Sequence, residues 1–240
     1  SVESALSYQE LHRRAEALGR QLLQMLDRGE DGKPASVLLC YPPGIDFVVA
    51  FFACLYSGVV AVPVYPPDPS KLSTDLPRFT RIASTVKAQA CLTNNFYQRI
   101  LHGLNCKLSL HSQRPSSSIA SHLQAPLASN GHSHTQPPAA KENELTDEVR
   151  KEWRKLRWSS SQELIDRASK NSHGPSLPPL PSDIPHSQVA FLQFTSGSTN
   201  HPKGVMVSHG NLLHNTHLCV ANYAFDPRDD YRIKHDLRKD

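Results

Sequence analysis

Apolar residues recur at helical spacing from the start of the chain. Leu11, Ala15, Leu18, Leu22 and Met25 follow Ser7, which can cap the helix it precedes, with Glu10 completing a capping box and Leu6 and Leu11 bracketing the first turn. The pattern then shortens. Residues 35–40, apolar but for Ser36, read as a strand buried on both faces, and residues 46–56 read as a helix that Gly58 stops. Residues 59–64 predict the next strand, 76–87 a helix and 89–93 another strand. Helix and strand alternating at this interval predict an α/β fold: a parallel-rich sheet with helices packed on both faces.

From residue 107 to about 140 the composition turns to Ser, Pro, His, Gln and Asn with no sustained period. Such a segment buries too little to offset the entropy of ordering, so a flexible insertion is expected there. Its histidines, His132 and His134 among them, have no cysteine or carboxylate beside them and follow from that composition rather than from a metal site. Order resumes at Thr146, Asp147 and Glu148, a helix start, with Leu145, Val149, Trp153 and Leu156 on one stripe. A second capping box, Ser160 with Glu163, opens a helix through Ala168, and a proline-rich stretch over 175–185 leads to a further strand. The insertion therefore falls inside a domain, not between two.

Charge and cysteine usage narrow the function. A net charge of +4, from 26 basic and 22 acidic residues among 240, is too balanced to imply nucleic acid or an anionic membrane as main partner. Cys40, Cys54, Cys91, Cys106 and Cys219 are widely spaced and odd in number, as reduced core residues are. The longest apolar run, residues 47–56, is about half of the roughly 20 residues a transmembrane helix needs. A cytoplasmic protein without a transmembrane segment is expected.

The chemistry concentrates between residues 191 and 209. Phe191-Leu192-Gln193-Phe194 runs into Thr195-Ser196-Gly197-Ser198-Thr199-Asn200-His201-Pro202-Lys203-Gly204, and Val205-Met206-Val207 runs out. Small residues let backbone N–H groups converge on an anion, the hydroxyls of Thr195, Ser196, Ser198 and Thr199 donate to it, and Lys203 adds a full charge. The order Lys203-Gly204 followed by a strand separates this loop from the nucleotide P-loop, which ends in Gly-Lys-Ser/Thr and opens into a helix. It resembles the signature loop of the adenylate-forming superfamily, which includes acyl-CoA synthetases, peptide adenylation domains, luciferases and fatty acyl-AMP ligases. Asn200 stands where most members carry glycine, and asparagine tolerates the left-handed backbone that such a position needs.

Tyr41-Pro42-Pro43-Gly44 with Asp46-Phe47-Val48, Val62-Pro63-Val64-Tyr65-Pro66-Pro67, and Ser208-His209-Gly210-Asn211-Leu212-Leu213-His214-Asn215 are similar to the fatty acyl-AMP ligase branch. That resemblance implies joining a fatty acid carboxylate to the α-phosphate of ATP, with release of pyrophosphate and Mg²⁺ as the bridging cation. It also implies that Thr195, Ser196, Gly197, Ser198, Thr199, Lys203 and Gly204 hold the phosphates, with Lys203 the catalytic charge and no metal ligand assigned on the chain. The implied partners are the fatty acid and an acyl carrier protein or polyketide synthase module. His209 reads as a local hydrogen-bonding residue, and Ser208 and Asn211 as helix caps. The family's ribose-binding motifs and mobile C-terminal domain have no counterpart here, so residues 1–225 are expected to be a partial N-terminal adenylation domain and 226–240 a polar, disordered tail of a fragment or incomplete gene product. Two alternatives stay open: a piece of a long-chain acyl-CoA synthetase, and a non-catalytic, adenylation-like interaction domain.

Overall fold

The structure, a computed structural model, describes residues 5–27, 32–110, 146–170, 177–195 and 202–222. Strand β1 (Ser36–Cys40) sits inside a six-stranded sheet and pairs in parallel on both edges. One neighbour is β2 (Val60–Val64), in register from Ser36↔Val60 to Cys40↔Val64, and the other is β3 (Ala90–Thr93), with Leu38 opposite Cys91. Beyond β3 lies β4 (Trp158–Ser160), and beyond β2 lies β5 (Val189–Thr195), both parallel. Strand β6 (Lys203–Ser208) closes the sheet in antiparallel, giving the order β4-β3-β1-β2-β5-β6.

The period-2 alternation of side chains divides each strand between two cores. Val37 and Leu39, with Ala61, Ala90 and Leu92, pack under α1 (Tyr8–Met25), α2 (Ile45–Ser57) and α6 (Ser161–Lys170). Leu38 and Cys40, with Val62 and Cys91, pack under α3 (Leu72–Thr85), α4 (Asn95–Leu110) and α5 (Asp147–Lys155). On this second face Phe79 stacks on Trp158 with centroids 5.8 Å apart and meets Trp153 edge-on at 5.5 Å. The helices start where local chemistry places them. The Ser7 hydroxyl accepts from the Glu10 N–H at 3.2 Å, Thr146 from the Val149 N–H at 3.4 Å, and Ser160 from the Glu163 N–H at 3.4 Å.

Several details depart from the sequence pattern. Only half of the first capping box forms, because the Glu10 carboxylate accepts from Arg13 at 2.7 Å and Arg14 at 2.6 Å, charge-assisted bonds stronger than one to the Ser7 amide. Those two guanidinium groups hold its carboxyl down at about 2. Helix α3 begins before the expected residue 76 and runs through Pro77. Its start is held by the Asp75 N–H donating to the Lys71 carbonyl at 3.0 Å and by the Asp75 carboxylate accepting from the Asp68 N–H at 2.9 Å. Helix α4 was not foreseen and continues to Leu110, past Lys107 where the insertion was expected to begin. The rest of that insertion lies outside the described residues. The elements on either side of it, β3 and β4, are neighbours in one sheet. Cys40, Cys54 and Cys91 are buried, with burial pushing the Cys54 thiol up to about 12, whereas Cys219 on α7 (His209–Asn222) is exposed. Among the described residues no helix is long and apolar enough to cross a membrane.

Gly58 ends α2 in the left-handed region at φ 69°, and a Cβ there would stand 3.0 Å from the Gln188 Nε2, which donates to the Gly58 carbonyl at 2.8 Å. Gly58→Ala is therefore expected to lower the unfolding free energy by about 1–2 kcal/mol. Urea denaturation followed by far-UV circular dichroism would read this as a lower midpoint at unchanged slope.

Candidate phosphate-binding site

Strand β5 carries its sequence into both cores. Phe191 meets Phe51 of α2 edge-on at 5.5 Å, while Leu192 and Phe194 pack on the opposite face. Because β5 runs parallel to β2, its last residue, Thr195, lies at the edge of the sheet where β1, β2, β3 and β4 also end. In open parallel sheets this carboxyl edge is where ligands bind, because the loops leaving it splay apart over the strand ends. Register pairs Thr195 with Lys203 and Phe194 with Gly204, so the hairpin brings the Thr195 hydroxyl and the Lys203 ammonium to one end of the sheet, both on exposed residues. Ser196, Gly197, Ser198, Thr199 and Asn200 lie outside the described residues.

Gly204 has a packing reason that the sequence did not reveal. A Cβ there would stand 3.0 Å from the Phe194 Cζ, so glycine lets that ring lie flat across the hairpin. His209 occupies the other end. Ser208 pairs with Val189, at the amino end of β5, and the five steps from Lys203 to Ser208 span roughly 17 Å. The His209 amide donates to the Gln188 carbonyl at 3.0 Å, and burial, with His186 beside it, holds its imidazole below the ordinary value. Its backbone closes the turn, but its Nε2 is buried without a hydrogen-bond partner among the described residues, so the side-chain bond expected of it is not seen. Ser208 and Asn211 cap α7 reciprocally: the Asn211 N–H donates to the Ser208 hydroxyl at 3.1 Å, and the Ser208 N–H to the Asn211 Oδ1 at 3.0 Å.

Beside the hairpin, the carboxyl ends of β1, β2 and β5, with Phe47 of α2 and one side of α3, line an open cavity of about 350 Å³. Tyr41, Phe47, Val64, Phe79 and Phe194 form apolar walls, and Asp75, Arg78 and Gln193 supply the polar groups. Sequence reasoning did not find it, since its walls come from α2, α3, β2, β5 and the end of β1; the available signal was Asp75, Arg78, Phe79 and Ile82 spaced to share one side of α3. Asp46, in the first turn of α2, steadies this edge. Its carboxylate accepts from the Asn94 side-chain amide at 3.3 Å and from Gln162 of α6. Burial raises the Tyr41 phenol well above its ordinary value, so it stays neutral. Among the described residues no group of three or more His, Cys, Asp or Glu could hold a metal ion.

Residues 2–237 match the AMP-binding enzyme family. The medium-chain-fatty-acid acyl-carrier-protein ligase JamA of Moorena producens (strain JHB) is 33% identical over 211 residues, which are 88% of this chain and 27% of that protein. Disco-interacting protein 2 homolog A of Homo sapiens is 38% identical over 101 residues, 42% of this chain and 6% of its own length. The crystal structure of fatty acyl-adenylate ligase from Legionella pneumophila, in complex with acyl adenylate and pyrophosphate, superposes with a TM-score of 0.56 at 27% identity, over 93% of this chain and 28% of that one. This chain thus spans little more than a quarter of JamA, a relative it matches along most of its own length. It belongs to the AMP-binding, adenylate-forming enzyme family, on its fatty acyl-AMP ligase branch.

Proposed function

We propose that this chain holds the polyphosphate of ATP while a fatty acid carboxylate attacks the α-phosphorus, forming an acyl-adenylate and releasing pyrophosphate. The observation that carries this reading is the β5–β6 hairpin, which sets Thr195 opposite Lys203 at the carboxyl edge of the sheet. A carboxylate is already ionised at neutral pH, so the reaction asks for no general base. What it asks of the protein is positioning and compensation of the charge that gathers on the departing pyrophosphate. Lys203 supplies a charge free of enclosing walls, and the Thr195 hydroxyl supplies a donor. Ser196, Gly197, Ser198 and Thr199 extend the same set by their chemistry, and Gly204 keeps the Phe194 ring flat beside it. Mg²⁺ would be held chiefly by the phosphates themselves, as is usual for this ion, and would neutralise their charge.

The Legionella pneumophila ligase, crystallised with acyl adenylate and pyrophosphate, and JamA, a fatty-acid acyl-carrier-protein ligase, support the same substrates here, with an acyl carrier protein as acceptor. A second reading, an adenylation-like interaction domain without catalysis, draws on the 38% identity with disco-interacting protein 2 homolog A. Binding of nucleotide phosphate separates the two, because only the first requires it.

Isothermal titration of magnesium pyrophosphate into the chain is expected to show saturable binding, weakened tenfold or more by Lys203→Ala through loss of a charge-assisted contact. In a full-length ligase carrying this segment, the same substitution is expected to cut fatty-acid-dependent ATP–pyrophosphate exchange by roughly a hundredfold. The isolated chain is expected to bind pyrophosphate without forming acyl-adenylate, since mutual positioning of both reactants contributes roughly 7–11 kcal/mol. Absence of pyrophosphate binding, or indifference to Lys203→Ala, would refute the phosphate role.

A further inference from the structure

We infer that the free edge of β6 is a docking surface for a second copy of this chain, the two β6 strands pairing antiparallel about a two-fold axis at Met206. Strand β6 ends the sheet, so among the described residues one of its two edges has no neighbouring strand. An unpaired row of N–H and C=O groups pairs with any extended strand that reaches it, and soluble proteins protect such edges with charges, proline or a bulge. Strand β6 has little of this protection. Its run Lys203-Gly204-Val205-Met206-Val207-Ser208 has no proline and a single charge, at its first residue, and the register shift between Val189 and Phe191 puts the hairpin's extra residue on β5. Met206 is 70% exposed and Val205 52%, although both are apolar. Helix α7, which follows directly, exposes Leu213, Leu218 and Val220 as well.

The backbone accepts any strand; the side chains select a second copy. Residues directly opposite in an antiparallel pair point to the same face, so a two-fold axis normal to the sheet pairs positions of equal parity. Centred on Met206, it sets Met206 against its own copy, Val205 against Val207 twice, and Gly204 against Ser208 twice. Every large side chain of that ladder then meets an apolar one. Lys203 falls one step outside it and faces His209 of the second copy, whose imidazole burial keeps neutral at ordinary pH, so no like charges oppose each other. Centring on Val205 instead sets Lys203 against Val207. An acidic or basic peptide finds no row of complementary charge on β6, where Lys203 is the single charged residue. Two-fold pairing closes on itself, giving a dimer rather than a fibre. It also leaves the two Lys203 ends roughly 20 Å apart along the strands, clear of one another.

Analytical ultracentrifugation of the 240-residue chain over a concentration series is expected to show a monomer–dimer equilibrium. Met206→Lys, which opposes two charges on the axis, should raise the dissociation constant about tenfold or more, and Met206→Leu should retain the dimer. Met206 is a surface residue, so the far-UV circular dichroism of Met206→Lys should match the parent, showing that the interface and not the fold is lost. Cross-linking reads the register. In a chain carrying Cys219→Ser, which removes the exposed thiol, Met206→Cys should give a covalent dimer on oxidation with diamide, because residues directly opposite lie within disulfide reach. Val205→Cys, offset from its own copy by two residues, should not. A chain that stays monomeric up to about 100 μM, open-ended aggregates in place of a dimer, a dimer indifferent to Met206→Lys, or cross-linking as ready through Val205→Cys as through Met206→Cys would each overturn the assignment.

Discussion

Everything in this fold depends on burying β1 on both faces and both edges at once. Val37, Leu38, Leu39 and Cys40 are fully or almost fully buried, and β2 and β3 take up the strand's hydrogen bonds on either side. A strand so enclosed requires helices above and below it, which α1, α2 and α6 provide on one face and α3, α4 and α5 on the other. Parallel strands joined through those helices must all end at the same edge, so the loops that follow them gather there. The location of the candidate site is in this sense a consequence of core packing.

The contacts that fix the edge are polar and long-range in sequence. Asp46 joins the loop after β3 to α6, and the Tyr97 hydroxyl donates to the Pro67 carbonyl at 2.9 Å and ties down the turn after β2. Bonds of this kind between elements give each loop one position over the strand ends. The aromatic cluster of Phe79, Trp153 and Trp158 does the equivalent under α3, and through Phe79 it sets one wall of the cavity. Preorganisation of that sort is what charge stabilisation needs, since donors already in place cost no rearrangement during reaction.

Much of this was legible in the sequence, for identifiable reasons. Helices opened by Ser7, Thr146 and Ser160 carry side-chain caps, and the strands β1, β2 and β3 carry uninterrupted apolar runs, so both were readable locally. Strand β4 was not, because three residues, Trp158–Ser160, are too few for a period and are held by pairing with β3. The early start of α3 was masked by Pro77, which looks like a helix opening and instead sits inside one. The loop proposed to hold phosphate stands out by its chemistry, because hydroxyls, glycines and a lysine together have few other uses, while the position of Thr195 against Lys203 required the register of the hairpin. The cavity was invisible for the opposite reason: Tyr41, Val64, Phe79 and Phe194 each read as ordinary core residues, and only the fold brings them around one space.

The central claim is that the Thr195–Lys203 end of the hairpin, and not its His209 end or another basic surface, receives polyphosphate. Amide chemical-shift mapping of the isotopically labelled chain during titration with magnesium pyrophosphate tests it most directly. The account predicts the largest shifts from Thr195 to Gly204, with Ser208, His209 and α7 little changed. Shifts centred on His186 and His209, or on Arg13, Arg14 and Arg20 of α1, would contradict it.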